Sequence, residues 1–185
     1  GGSSLQGGSD AHAELSLDMA QPPPSPRGRP LSPRSRAVQS AEEWADKAFV
    51  LSNMRVSGFS LWRASKALRA DREVVLVAVR NYGRALEFAS EELRSDRAIV
   101  LEAVRQNGLA LRRTSEELQD DREVVMIAVR QNGLALEYAS EMFRSDRVIC
   151  LAAVKQHGCA LEFASAPLFA DTDFMREAIL LRERI

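Results

Sequence analysis

Residues 71–95 read DREVVLVAVRNYGRALEFASEELRS, and closely similar strings follow at residues 96–120 and 121–145 without an insertion or deletion. The chain therefore repeats itself every 25 residues. A fixed period of this size is typical of a solenoid, in which each unit contacts mainly its neighbours. The evenly spaced markers are Asp71, Asp96, Asp121, Asp146 and Asp171, together with the turn glycines Gly58, Gly83, Gly108, Gly133 and Gly158.

The first half of each unit has the spacing of an amphipathic helix. Counted from the aspartate as position 0, positions 3, 4, 5, 7 and 8 are apolar, whereas position 6 varies and includes Glu102. At about 100° per residue the apolar positions form one broad arc, which a β-strand would not produce. The aspartate itself is a good helix N-cap, because its carboxylate accepts hydrogen bonds from free N–H groups.

The second half of each unit predicts a turn and a shorter helix. Position 12 is the glycine, and we expect it to take the left-handed conformation of a helix C-cap, as in Asn107-Gly108. Position 15 is leucine in every unit, and position 19 is serine. Because the proline at position 21 in the last unit, Pro167, is tolerated only in a first helical turn, we interpret the serines as N-caps of a further short turn.

These patterns predict an all-α fold, a short right- or left-handed α-solenoid of about five helix-turn-helix units behind an extended N-terminal arm. The arm covers residues 1–39 and the repeat domain residues 40–185. Ser40 and Glu43 match a capping box that opens the first helix. The units are residues 46–70, 71–95, 96–120, 121–145 and 146–170, and a capping helix follows at residues 171–185.

The repeated strings resemble the tandem repeat known as domain of unknown function 4116. Its pattern is close to D-R-E-V-V-L-x-A-V-x-Q-N-G-x-A-L-x-x-A-S-x-E-L, which residues 71–170 match well, residues 46–70 loosely and residues 171–185 in part. The resemblance implies an α-helical tandem repeat found mostly in protist and algal proteins. It implies no activity and brings no catalytic residue to this chain.

Composition narrows the class of function. The 185 residues carry a net charge of −1, which disfavours nucleic acid as a partner, and a single-stranded nucleic-acid binder is the least favoured alternative. No run approaches about 20 apolar residues, so no membrane span is predicted. Cys150 and Cys159 lie in mostly apolar columns, so we expect two buried, reduced thiols in a reducing compartment. Together with His12 and His157 they are too few for a disulfide framework or a zinc site.

No constellation of side chains predicts catalysis. The glutamate pairs Glu91/Glu92 and Glu116/Glu117 follow the serine cap, where acids favour the helix dipole, and nothing in the sequence indicates a cleft beside them. His157 stands in the turn before Gly158 and is interpreted as a surface turn residue. We therefore expect no enzyme activity, no cofactor, no metal and no small-molecule substrate.

Two columns of basic residues, at positions 1 and 9, form a candidate interaction ladder. Stacked helices lie about 8–10 Å apart, so an acidic partner could follow either row of charges. The alternative is structural: position 9 opposes the helix dipole, and position 1 could reach acids at positions 20 and 21 of neighbouring turns. The ladder consists of Arg72, Arg80, Arg97, Arg105, Arg122, Arg130, Arg147 and Lys155.

The arm is a candidate docking segment. Residues 20–40, AQPPPSPRGRPLSPRSRAVQS, contain no acid and predict an extended chain. We expect it to dock on the first unit, through Trp44, Phe59 and Trp62, which we expect to be exposed, or on a partner chain. One alternative is that the arm is a plain linker. The other is that it resembles an organelle transit peptide, and this composition, together with the start at Gly1, leaves a plastid location open. The candidate residues are Pro22, Pro23, Pro24, Arg27, Arg29, Arg34, Arg36, Trp44 and Trp62.

The favoured function is a non-catalytic scaffold for protein–protein interaction. The alternative is a peripheral structural subunit of a large organellar assembly, such as a plastid membrane complex.

Overall fold

Three helical segments recur in each unit. A computed structural model describes residues 42–183, and within that range every regular element is helical. The long α-helices are Lys47–Val56, Arg72–Asn81, Arg97–Gln106, Arg122–Gln131 and Arg147–Gln156. The 3₁₀ helices are Gly58–Arg63, Gly83–Phe88, Gly108–Arg113, Gly133–Tyr138 and Gly158–Phe163. The short α-helices are Lys66–Arg69, Glu91–Arg94, Glu116–Gln119, Glu141–Arg144 and Ala166–Ala170. A 3₁₀ turn at Glu43–Ala45 precedes them and a helix at Thr172–Arg182 follows.

The long helices begin at the aspartates, as the sequence predicts. In the third unit the Asp96 carboxylate accepts hydrogen bonds from the backbone N–H groups of Ala98 and Ile99, at 2.9 and 3.2 Å. The buried side chains of this helix are those at positions 3, 4, 7 and 8: Ile99, Val100, Ala103 and Val104. Position 5, which the sequence placed in the buried arc, is only partly buried, as at Leu101.

The second helix of each unit is a 3₁₀ helix of six residues rather than an α-helix. With three residues per turn, side chains three apart eclipse one another, so positions 12, 15 and 18 form one row. In the third unit that row is Gly108, Leu111 and Thr114, and all three residues are buried. The glycine, leucine and small-residue columns of the sequence are therefore one face of this helix.

The serines at position 19 stand at the N-cap of the short helices, as predicted. Among them Ser65 makes the side-chain capping bond, with its Oγ accepting from the backbone N–H of Leu68 at 3.3 Å. The serine backbone joins successive units instead. The N–H of Ser90 donates to the carbonyl of Arg69 at 2.9 Å, and that of Ser165 to the carbonyl of Arg144 at 2.9 Å.

The units stack in two layers. Each long helix packs on the long helices of its neighbours, and each 3₁₀ helix on the neighbouring 3₁₀ helices. One continuous apolar core lies between the two layers. The all-α solenoid predicted from the period is confirmed.

The turn glycines have a different role from the predicted one. None of the five has a φ in the left-handed region, so the predicted left-handed C-cap is wrong. Each of the first four packs against a backbone carbonyl of the next unit. A Cβ on Gly108 would lie 2.2 Å from the carbonyl oxygen of Ala128, and the Gly108 N–H donates to Oε1 of Gln131 at 2.5 Å. Glycine is required there because two units approach closely.

The ends of the solenoid differ from its middle. Just before the first unit Trp44 is buried, with 5% of its surface exposed, and its ring and that of Phe49 pack edge to face with centroids 5.3 Å apart. At the other end the Thr172–Arg182 helix runs through the position where the other long helices stop. Its Ile179, at a position that is fully buried in the central units, is 47% exposed because, within residues 42–183, this helix packs on one 3₁₀ helix, that of the preceding unit, and has none of its own unit beside it.

Candidate protein-binding surface

The position 1 half of the basic ladder joins neighbouring units. In each unit the position 1 cation binds the capping aspartate of the next unit, and the expected partners at positions 20 and 21 are wrong. The Arg97 Nε lies 2.8 Å from Oδ2 of Asp121. The other pairs are Lys47 with Asp71, Arg72 with Asp96, Arg122 with Asp146 and Arg147 with Asp171.

A second acid joins every other one of these junctions. Lys47 also binds Glu73 at 2.9 Å, Arg97 also binds Glu123 at 2.5 Å, and Arg147 also binds Glu177 at 3.0 Å. The junctions of Arg72 and Arg122 have one acid each, because the next unit carries Ala98 or Val148 at position 2.

These contacts shift the pKa values of the groups involved. The hydrogen bond from Arg97 lowers the pKa of the Asp121 carboxyl, partial burial opposes that effect, and the N–H of Val124 lowers the pKa further. The same hydrogen bond raises the pKa of Arg97. Position 1 is thus engaged within the fold and offers little free charge to a partner.

The position 9 residues are exposed and define what we call the basic row. Its members are Arg55, Arg80, Arg105, Arg130 and Lys155, one in each unit. Arg80 and Arg105 both bind Glu102, at 3.2 and 3.5 Å. Within residues 42–183, Arg55, Arg130 and Lys155 make no ion pair, so three of the five charges face solvent unpaired.

An apolar stripe runs beside the basic row on the same face of the long helices. It consists of the partly buried position 5 residues Leu51, Leu76, Leu101, Met126 and Leu151. Residues four apart are neighbours on a helix surface, so each stripe residue lies next to the cation at position 9 of its own helix. We predicted from the sequence that position 5 is buried. Its place at the edge of the apolar arc was the sign that it would be only partly buried.

Three of the paired glutamates line a groove, and His157 joins two units. Glu91, Glu116 and Glu117 border an open groove of about 450 Å³ together with Arg94 and Arg113, where the sequence had indicated no cleft. A hydrogen bond from its own backbone N–H lowers the pKa of Glu92. The Nδ1 of His157 accepts the N–H of Gly133 at 3.2 Å, which makes it an inter-unit contact.

The aromatic residues expected to receive the arm divide into two groups. Trp44 is buried, so its expected exposure is wrong, whereas Phe59 and Trp62 are about half exposed, at 49% and 51%. The Arg63 guanidinium lies 4.7 Å from the ring centre of Trp44 and 5.9 Å from that of Trp62. The arm residues, and Ser40 of the capping box, lie outside the described residues.

Of the two cysteines, Cys150 is buried and Cys159 is exposed, so the expectation of two buried thiols holds for Cys150 alone. No group of His, Cys, Asp or Glu side chains in the described part of the chain could hold a metal ion. None of the helices between residues 42 and 183 is long and apolar enough to cross a membrane.

The fold and its surface define a helical-repeat protein with two layers of helices. Four overlapping stretches, residues 46–94, 71–119, 96–144 and 121–169, match the family described as domain of unknown function (DUF4116), and the chain belongs to that family. Each stretch covers two consecutive units. No curated protein and no solved structure matches the chain significantly.

Proposed function

We propose that this protein is a non-catalytic scaffold that binds an acidic, amphipathic helix of a protein partner along its long-helix layer. The basic row beside the apolar stripe is the observation that supports the proposal. Apolar side chains of the partner would pack on the stripe, and its acidic side chains would meet the cations of the row. This is the helix-in-groove mode of recognition, with charge setting the orientation.

The spacing of the row fits such a partner. Neighbouring packed helices are about 8–10 Å apart, which sets the distance between successive cations. A helix rises about 10.5 Å per heptad, so acids repeated every seven residues keep pace with the row when the partner lies across the long helices. An extended strand, at about 3.3 Å per residue, would need an acid at every third residue.

The charge balance of the row also favours an acidic partner. Of the five cations of the row, Arg80 and Arg105 share Glu102, and the other three make no ion pair within residues 42–183. Exposed cations at the rim of an interface change the association rate and its salt dependence more than they change the packing. Binding is therefore expected to weaken as salt is added.

The proposal is tested with a fluorescently labelled helical peptide that carries leucine on one face and glutamate on the other. We compare the wild-type protein with the double variant Arg130→Gln, Lys155→Gln, which removes two unpaired charges of the row. We expect the variant to bind about tenfold more weakly at low salt, with a flatter salt dependence. The melting temperature should fall only slightly, because neither cation makes an ion pair within residues 42–183 and the variant loses only their interaction with the helix dipole.

The matched control is the double variant Lys66→Gln, Arg84→Gln, which removes the same charge from exposed positions outside the long-helix layer. It should bind the peptide as the wild-type protein does. Equal weakening in both double variants would reduce the effect to net charge and overturn the proposal. A peptide with lysine in place of glutamate should not bind.

A further inference from the structure

The third unit departs from the repeat on the outer face of its 3₁₀ helix. Positions 16, 17 and 18 are Arg112, Arg113 and Thr114 there, where the second unit has Glu87, Phe88 and Ala89 and the fourth has Glu137, Tyr138 and Ala139. The change lies in the middle of the array, so it is not explained by capping of an end. It replaces one acid and one aromatic residue by two cations.

The two arginines border a small cleft between the second, third and fourth units, which we call the arginine cleft. Its other polar borders are Arg84, Glu87 and the ring of Tyr138, and its volume is about 100 Å³. The cleft lies in the 3₁₀ layer, away from the basic row of the long helices.

The cleft is partly preorganised. The Arg113 guanidinium is held by Glu87, with Nη2 3.2 Å from Oε2. The Arg112 guanidinium lies over the Tyr138 ring, 5.8 Å from its centre, which is within the range of a cation–π contact. Arg84 is exposed and, among the described residues, makes no ion pair. Two guanidinium groups with free donors therefore face one small space.

Size and charge together select the ligand. A volume of about 100 Å³ is well below the 300–1,000 Å³ of ordinary small-molecule sites, and it holds about three water molecules. Three guanidinium groups and one carboxylate give the lining a net charge of plus two. Outside the lining, Glu137 is hydrogen bonded to the Tyr138 hydroxyl, which raises the pKa of Tyr138.

We propose that the arginine cleft binds the phosphoryl group of a phosphorylated side chain on a protein partner. A phosphoryl group carries nearly two negative charges and three acceptor oxygens, which suits paired guanidinium donors better than the single charge of a carboxylate. The proposal shares with the proposed function the idea of a protein partner, but it uses a separate site. Its failure would leave peptide binding along the basic row unaffected.

The experiment follows the side-chain Nε–H resonances of the arginines by NMR while a capped tripeptide, alanine–phosphoserine–alanine, is added to the full chain. We expect saturable shifts at Arg84, Arg112 and Arg113. The same tripeptide with glutamate in place of phosphoserine should bind at least about tenfold more weakly. Equal affinity for the two peptides would overturn the assignment to a phosphoryl group.

Two double variants locate the site. Arg84→Gln with Arg112→Gln should abolish saturable binding, whereas Lys66→Gln with Arg176→Gln removes the same charge elsewhere and should leave it unchanged. Both should keep the wild-type melting temperature, because the exchanged side chains are exposed. Shifts that do not saturate and appear equally at Arg55 and Arg130 would show general screening of exposed arginines and would overturn the proposal.

Discussion

The Arg97 guanidinium and the Asp121 carboxylate, 24 residues apart in the chain, meet at 2.8 Å and join two units through one acid. Oδ2 of Asp121 accepts from Arg97, while Oδ1 accepts from the backbone N–H groups of Glu123 and Val124, at 2.9 and 3.1 Å. The aspartate therefore begins its own helix and holds the preceding one at the same time. This double use explains why an aspartate, rather than serine or asparagine, stands at position 0 wherever a preceding unit supplies the cation; Asp46 of the first unit caps its helix without such a pair within residues 42–183.

The two uses of Asp121 can be separated by substitution. Asparagine is a good N-cap without a charge, so Asp121→Asn should keep the cap and lose the ion pair. Asp121→Ala loses both, and the lost cap alone should cost about 0.5–2 kcal/mol. In urea unfolding at neutral pH the wild-type protein should therefore be the most stable, Asp121→Asn less stable and Asp121→Ala the least stable. Equal losses in both variants would mean that the cap contributes nothing.

The stability of the protein should fall in acid. The pKa of Asp121 is lowered in the fold, chiefly by the hydrogen bond from Arg97, and the pKa values of Asp71, Asp96, Asp146 and Asp171 are also lowered. Their contribution is complete above the unfolded pKa of about 3.9 and is lost as the pH falls through the lower folded pKa. Urea midpoints from neutral pH to pH of about 2 measure this loss. Asp121→Asn should lose less over that range than the wild-type protein.

Gly108→Ala should destabilise the protein by about 1–3 kcal/mol, because the added Cβ meets a backbone carbonyl that cannot move without separating two units. The clash is with the carbonyl oxygen of Ala128, 2.2 Å from the Cβ position. Gly158→Ala is the matched control, since its Cβ would lie 2.8 Å from Cγ of Arg182, the flexible part of an exposed side chain. Thermal melts of the two variants should show a clearly smaller loss for Gly158→Ala, and a neutral Gly108→Ala would contradict the packing explanation.

Leu111→Ala should cost about 2–5 kcal/mol, because it opens a cavity in a core that has neighbours on both sides. Leu111 is fully buried, whereas Leu161, nearer the end of the solenoid, retains 8% of its surface. Leu161→Ala should therefore cost less in urea unfolding. Losses of the same small size at both positions would show that position 15 contributes little to the core.

The two cysteines should differ sharply in reactivity. Burial, and then the charge of Asp146, raises the pKa of the Cys150 thiol to about 12, and its Sγ lies 3.1 Å from the Arg144 carbonyl oxygen. Cys159 is exposed. A thiol reagent added to the native protein should label Cys159 quickly and Cys150 only after denaturation. Rapid labelling of Cys159→Ser would show that Cys150 is accessible.

Much of this architecture could be predicted because each unit repeats the same local signals. The aspartate cap, the apolar arc and the serine before Pro167 placed the long and short helices. The sequence also carried a signal for the 3₁₀ helix, because the columns at positions 12, 15 and 18 are three residues apart. The α-helical period of 3.6 residues describes the long helix but does not detect this shorter period.

The remainder depends on contacts between units, which a single unit does not reveal. The need for Gly108 comes from Ala128, in the next unit, and not from its own φ. The same holds for Arg97, whose partner is the next aspartate. Trp44 is aromatic and close to the arm in sequence, which favoured exposure, yet it packs against Phe49. Each of these positions is settled by tertiary packing.

The uneven distribution of ion pairs among the junctions has a mechanical consequence. The junctions of Lys47, Arg97 and Arg147 hold a second acid, and the junction of Arg72 holds further ion pairs at Arg80 and Arg113. Within residues 42–183 the junction of Arg122 holds one ion pair, with Asp146. In an array held by contacts between nearest neighbours, the weakest junction opens first. A chain pulled from its two ends is therefore expected to separate first between the fourth and fifth units.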